Sequence, residues 1–102
     1  MPSIKGNDIH KVVVACDAGM GSSVMLASTL RRQLSRHSVT VEHTPVNDIP
    51  ADADVVVTHV GLADRARASA PDKVIVPIRV FLGDPAINTI IMAVQYGGDL
   101  HG

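Results

Sequence analysis

The chain has 102 residues and a formal net charge of −1; 46% of its residues are apolar, yet Phe81 and Tyr96 are its only aromatics. This suffices for one domain with an aliphatic core of Val, Ile, Leu and Ala, and it argues against a basic nucleic-acid surface or an aromatic platform for single strands. No stretch approaches the roughly 20 apolar residues of a membrane span, Met1 to His10 lacks the apolar centre of a signal peptide, and the single cysteine, Cys16, fits a reducing cytoplasm rather than a disulfide scaffold.

Met1 to Asp8 reads as a loose tail. Lys11 to Cys16 is the first strand, and its continuous Val12-Val13-Val14 run is that of a strand covered on both faces. Ser22 to Arg36 has helical spacing, with Ala27, Leu30 and Leu34 facing the core, Arg31, Arg32 and Arg36 on an exposed basic face, and Ser22 or Ser23 as the cap. Val39 to His43 alternates like a half-exposed edge strand, and Asn47 to Ala53 is a turn-rich link. Asp54 to His59 is a second central strand; Gly61 to Ala70 is a short helix closed by Pro71. Lys73 to Ile78 is a strand that Pro77 places at an edge or near its own end. In the last helix, Asp84 to Tyr96, Asp84 caps, Pro85 takes the first helical position and Gly97 follows the end. Gly97 to Gly102 reads as a second tail, leaving a core of about residues 10–97 in a single domain spanning 1–102.

Strands alternating with helices imply an α/β fold: a three-layer, Rossmann-like arrangement with a four-stranded parallel sheet in the order 2-1-3-4, flanked by helices. Ligands of such sheets bind beyond the carboxyl ends of the strands, near the switch in order. Cys16 and His59 end the two central strands on that rim.

Between Cys16 and the first helix stands Asp17-Ala18-Gly19-Met20-Gly21-Ser22-Ser23. A strand, a glycine-rich turn and a helix N-terminus make an anion site, because unsatisfied N–H groups and the positive end of the helix dipole converge there. The same field favours thiolate, the nucleophilic form of cysteine. Glycines at 19 and 21 permit close backbone approach, and the serines offer hydroxyl donors. A thiol so placed can accept a phosphoryl group; a buried, inert cysteine beside a plain tight turn is the competing reading.

Two known designs set a cysteine at the head of such a loop. Low-molecular-weight tyrosine phosphatases place Arg and Ser after five intervening residues; here those positions hold Ser22 and Ser23, so the guanidinium that would clamp the phosphoryl oxygens is missing. Asp84-Pro85 resembles the general-acid pair of that family, and a helix cap explains it equally. The second design matches more of the chain. Val14-Ala15-Cys16-Asp17-Ala18-Gly19-Met20-Gly21-Ser22-Ser23 resembles the active-site loop of the mannitol-type IIB proteins of the bacterial phosphoenolpyruvate-dependent sugar phosphotransferase system. Asn47 to Pro50, Ala53 to His59, Leu62 to Ala66 and Val80-Phe81-Leu82 fall where that family has similar segments, so the resemblance runs from about Lys11 to Tyr96.

The resemblance implies a phosphohistidine–sugar phosphotransferase with a phosphocysteine intermediate. A IIA partner would charge Cys16, and phospho-Cys16 would pass the group to a sugar or sugar alcohol, mannitol-like, held in a membrane IIC partner. It implies no cofactor, no metal, no nucleic acid and no direct membrane insertion, in a cytoplasmic protein. A phosphatase-like hydrolase and a non-catalytic phosphate-sensing or regulatory docking module remain alternatives.

The other candidates have two readings each. Asp17 shapes the loop rather than reacting, and Met20 on the loop tip is a partner contact. His59 either donates to the phosphoryl group or is a satisfied strand-end histidine. Val80-Phe81-Leu82 either docks a partner or folds back as core. His10, His37, His43 and His101 read as solvated, and no pair of histidines has metal-ligand spacing.

Overall fold

Continuous valine runs build the middle of a parallel sheet. The computed structural model describes residues 3–16, 21–80 and 83–101. In chain order the elements are β1 (Ser3–Lys5), β2 (Lys11–Cys16), α1 (Gly21–Gln33), β3 (Thr40–Pro45), β4 (Val55–His59), α2 (Ala63–Ser69), β5 (Val74–Ile78), α3 (Pro85–Tyr96) and β6 (Asp99–His101). The main sheet runs β3-β2-β4-β5. All three of its pairings are parallel, with Val12 opposite both Val41 and Val55, and Val55 opposite Val74. This is the 2-1-3-4 order expected from the alternation of strands and helices.

The pleat sends alternate residues to opposite faces. Val12, Val14, Val41, Val55, Val57, Val74 and Val76 face α1 and α3, where Leu26, Leu30, Leu34, Ile87, Ile90 and Val94 close one core. Val13, Ala15, Val56 and Ile75 face Ala66 of α2 and Val46 of the turn Val46–Asp48, closing a smaller core. β2 is buried on both sides for this reason. Pro77 sits exposed on the outermost strand, β5, where no further strand needs its missing N–H.

Several boundaries differ from expectation. The first helix starts one residue early, at Gly21, and stops at Gln33 instead of Arg36. Ser35–His37 tightens into a 3-10 turn, and Ser38 turns left-handed at φ 57°. Ser22 and Ser23 are therefore inside the helix, not at its cap. The edge strand runs to Pro45, two residues beyond the expected end at His43. Asp84 caps α3 as expected: its carboxylate accepts from Ala86 N–H at 2.9 Å, Pro85 follows at the first position, and Gly97 ends the helix at φ 74°.

The two ends are not loose tails. β1 and β6 pair antiparallel, Ile4 opposite Leu100, and Gly6 N–H donates to Gly98 carbonyl at 2.8 Å. Apolar residues decide this: Ile9 and Leu100 are buried in the larger core and Ile4 packs against it. Gly6 is pressed so closely to α3 that a Cβ there would lie 1.7 Å from Ala93 carbonyl oxygen.

Candidate functional site

Cys16 is the last residue of β2 and only 2% exposed. It shares a face with Val14 and Val12, two and four residues earlier, and so lies on the side that carries α1 and α3. The first residue of α1, Gly21, follows five positions later, so the thiol and the N-terminal end of a 13-residue helix belong to the same strand-to-helix connection. Asp17, Ala18, Gly19 and Met20 of the expected loop lie outside the described residues.

The structure gives the thiol a partner that sequence patterning missed. His43 Nε2 stands 2.9 Å from Cys16 Sγ. Either the thiol donates to unprotonated Nε2, or Nε2–H donates to thiolate. His43 was expected to be solvated; that expectation is wrong, and the reason is register. β3 pairs parallel with β2, Val14 opposite His43 and Cys16 opposite Pro45. His43 thus sits on the same face as Cys16, one diagonal step back, within reach of a long side chain. Alternation could have shown which face His43 takes, but not which strand lies beside it.

Ser23, in the first turn of α1, is 0% exposed, and its hydroxyl has no hydrogen-bond partner among the described residues. A buried hydroxyl without a partner is costly to the fold alone. His59 ends β4 one step past the Ala15–Thr58 pairing. Its Nδ1 accepts Gly61 N–H at 3.1 Å and caps the turn Val60–Leu62. This places a proton of neutral His59 on Nε2. This bond is the one the strand-end, satisfied reading expects.

Asp84 is 8% exposed and holds backbone with both oxygens: Oδ1 accepts from Ala86, and Oδ2 accepts from Arg79 N–H at 2.8 Å and Val80 N–H at 3.3 Å. Those N–H groups, Ala86 and Arg79 foremost, hold its carboxyl below the usual carboxylate range. A carboxyl kept ionised in this way is a cap and a poor proton donor. Val80 is 51% exposed after β5, while Phe81 and Leu82 lie outside the described residues. Val24 and Met25 in the first turns of α1, and Val60 after β4, are also exposed at this end of the sheet. Among the described residues no group of three or more His, Cys, Asp or Glu side chains could hold a metal.

Residues 11–93 match the family model described as the lactose/cellobiose-specific IIB subunit of the PTS. The chain belongs to the PTS IIB family. This IIB chain is 41% identical over 85 residues to a PTS mannitol-specific EIICB component of Bacillus subtilis, covering 81% of its own length and 18% of the relative. It is 39% identical over 84 residues to the cryptic mannitol-specific EIICB component of Escherichia coli K12, covering 80% and 18%. It is 41% identical over 86 residues to a mannitol-specific EIICBA component of Vibrio cholerae, covering 82% and 13%. The IIB chain thus spans less than a fifth of the length of these relatives. The family model begins to match at residue 11, on the strand that ends at Cys16, and its description names other sugars than the relatives' names do. No helix among the described residues is long and apolar enough to cross a membrane.

Proposed function

We propose that this IIB domain is a phosphoryl carrier: Cys16 accepts a phosphoryl group from a phosphohistidine of a IIA partner and passes it to a sugar alcohol held by a IIC partner. The observation that carries the reading is the position of Cys16, a thiol that ends a central strand five positions before the first residue of α1, in a chain of the PTS IIB family. A thiolate is both a good acceptor and a good leaving group, as a relay requires.

The phosphoryl oxygens would be received by the loop Asp17, Ala18, Gly19, Met20, Gly21, Ser22 and Ser23, through backbone N–H groups and the α1 dipole. The unpartnered Ser23 hydroxyl supports this, because a phosphoryl oxygen would satisfy it. His59 would assist from the end of β4. A hydrolase reading has less support, since Asp84 is committed to backbone and position 22 holds Ser rather than Arg. The relatives' names join B with C, and once with A, in single components, which supports IIC and IIA domains as partners at the cytoplasmic face of a membrane. Mannitol, from those names, is the first sugar alcohol to try.

Intact mass tests this after incubation with phosphoenolpyruvate, enzyme I, the histidine phosphocarrier protein and a mannitol-type IIA. One phosphoryl adduct is expected on wild type and none on Cys16→Ser. An adduct retained by Cys16→Ser, or absent from both across several IIA donors, would overturn the relay.

A further inference from the structure

Resting on the relay reading, we propose that His43 is a catalytic residue of the charging step: it takes the thiol proton of Cys16 as the sulfur attacks phosphorus. The geometry meets the first requirement of a general base, hydrogen-bond reach of the proton it removes, because Nε2 and Sγ are 2.9 Å apart. Both side chains are set on adjacent strands of one sheet, so the distance is built into the parallel register and does not depend on a loop.

The Sγ–H bond of Cys16 breaks and its proton moves to Nε2. The sulfur pair forms the S–P bond as the donor's N–P bond breaks, and that pair returns to the donor's ring nitrogen. His43 is left as an imidazolium against phosphocysteine, where its charge opposes that of the phosphoryl group. In the reverse of this step the S–P bond breaks, its pair returns to sulfur as the group goes back to the donor's ring nitrogen, and Nε2 hands the proton back.

Among the described residues, none of the neighbouring charged groups is set against Cys16 as His43 is. On the same strand Glu42 is turned to the opposite face and bridges Lys11 at 3.2 Å. From α1, Arg31 reaches β3 but donates Nε–H to Val41 carbonyl at 2.9 Å, two residues short of His43. α3 carries no charged side chain. From β4, His59 faces the same rim, with Nδ1 accepting from Gly61. Asp17 is outside the described residues.

The test uses Cys16 as its own reporter, since the chain has no other thiol. The full chain is alkylated with iodoacetamide from about pH 5 to pH 9, the range in which histidine and cysteine change charge, for wild type, His43→Gln and His43→Asn. Gln retains a hydrogen-bonding side chain but takes no proton. Wild type is expected to show two ionisations belonging to the pair and each variant one, with alkylation near neutral pH about tenfold slower in the variants. Circular dichroism confirms that a variant is folded before it is read. A single ionisation in wild type overturns the proposal without any variant, and so do superimposable wild-type and variant profiles. Charging by phospho-IIA is measured alongside. Profiles that differ while Cys16 accepts no phosphoryl group support the pair and sink the relay; superimposable profiles with normal charging sink the pair and leave the relay.

Discussion

At the scale of single residues, three side chains carry distinct kinds of evidence. Cys16 is buried, and its thiol is hydrogen-bonded to His43. Ser23 is buried, and its hydroxyl has no hydrogen-bond partner among the described residues. Ser23→Ala should leave the unfolding midpoint unchanged or slightly raised, within about 0.5 kcal/mol, while slowing the charging of Cys16; urea titration beside a phosphorylation time course checks both. Asp84 works the other way, as both of its carboxylate oxygens hold backbone N–H groups, three in all. Asp84→Ala should cost about 1–2 kcal/mol as a lost N-cap, with little change in Cys16 alkylation. The folded carboxyl ionises more readily than the unfolded one, so its contribution is complete above the ordinary aspartate range and fades as pH falls through the lowered folded value. Thermal melts of wild type and variant should therefore converge on acidification and stand apart near neutrality.

At the scale of elements, small extensions matter more than their length suggests. Two extra residues on β3 carry Pro45 alongside Cys16 and fix His43 in the ladder, where a strand ending at His43 would leave the ring at a frayed end. The β1–β6 ribbon shows the same economy: three residues from each end pair and bring Ile4 and Leu100 onto the larger core. Gly6 is its weak point, because no side chain fits against Ala93 carbonyl. Gly6→Ala should lower stability by about 1–3 kcal/mol, in the range of an overpacked site, seen as a lower urea midpoint. The site lies at the other end of the sheet, so charging of the folded variant should be unchanged. Lys11, bridging Asp52 and Glu42 at the amino end of β2, belongs to that same structural end.

At the scale of the whole molecule, parallel strands point all their carboxyl ends one way, so everything at those ends shares one rim. Cys16, His43 and His59 stand there with exposed Val24, Met25, Val60 and Val80 around them. Docking of the phosphodonor on that apolar surface follows from the proposed function. Val80→Asp should raise the KM for phospho-IIA by about tenfold, the loss of a modest interface contact, leaving kcat and the alkylation profile of Cys16 as they are; a titration of charging rate against IIA concentration separates the two. The residues themselves determined the layered α/β order, the strand order 2-1-3-4, the thiol at the head of a glycine loop and the Asp84-Pro85 cap. Each of these is a local or periodic signal: unbroken valines, helical spacing, a cap residue before proline. The tertiary structure alone decided the partner of that thiol, the pairing of the two chain ends and the burial of Ser23. These depend on which strand lies beside which and in what register, and a hydrogen bond between residues 16 and 43 exists only once the β2–β3 ladder has brought their side chains to one face.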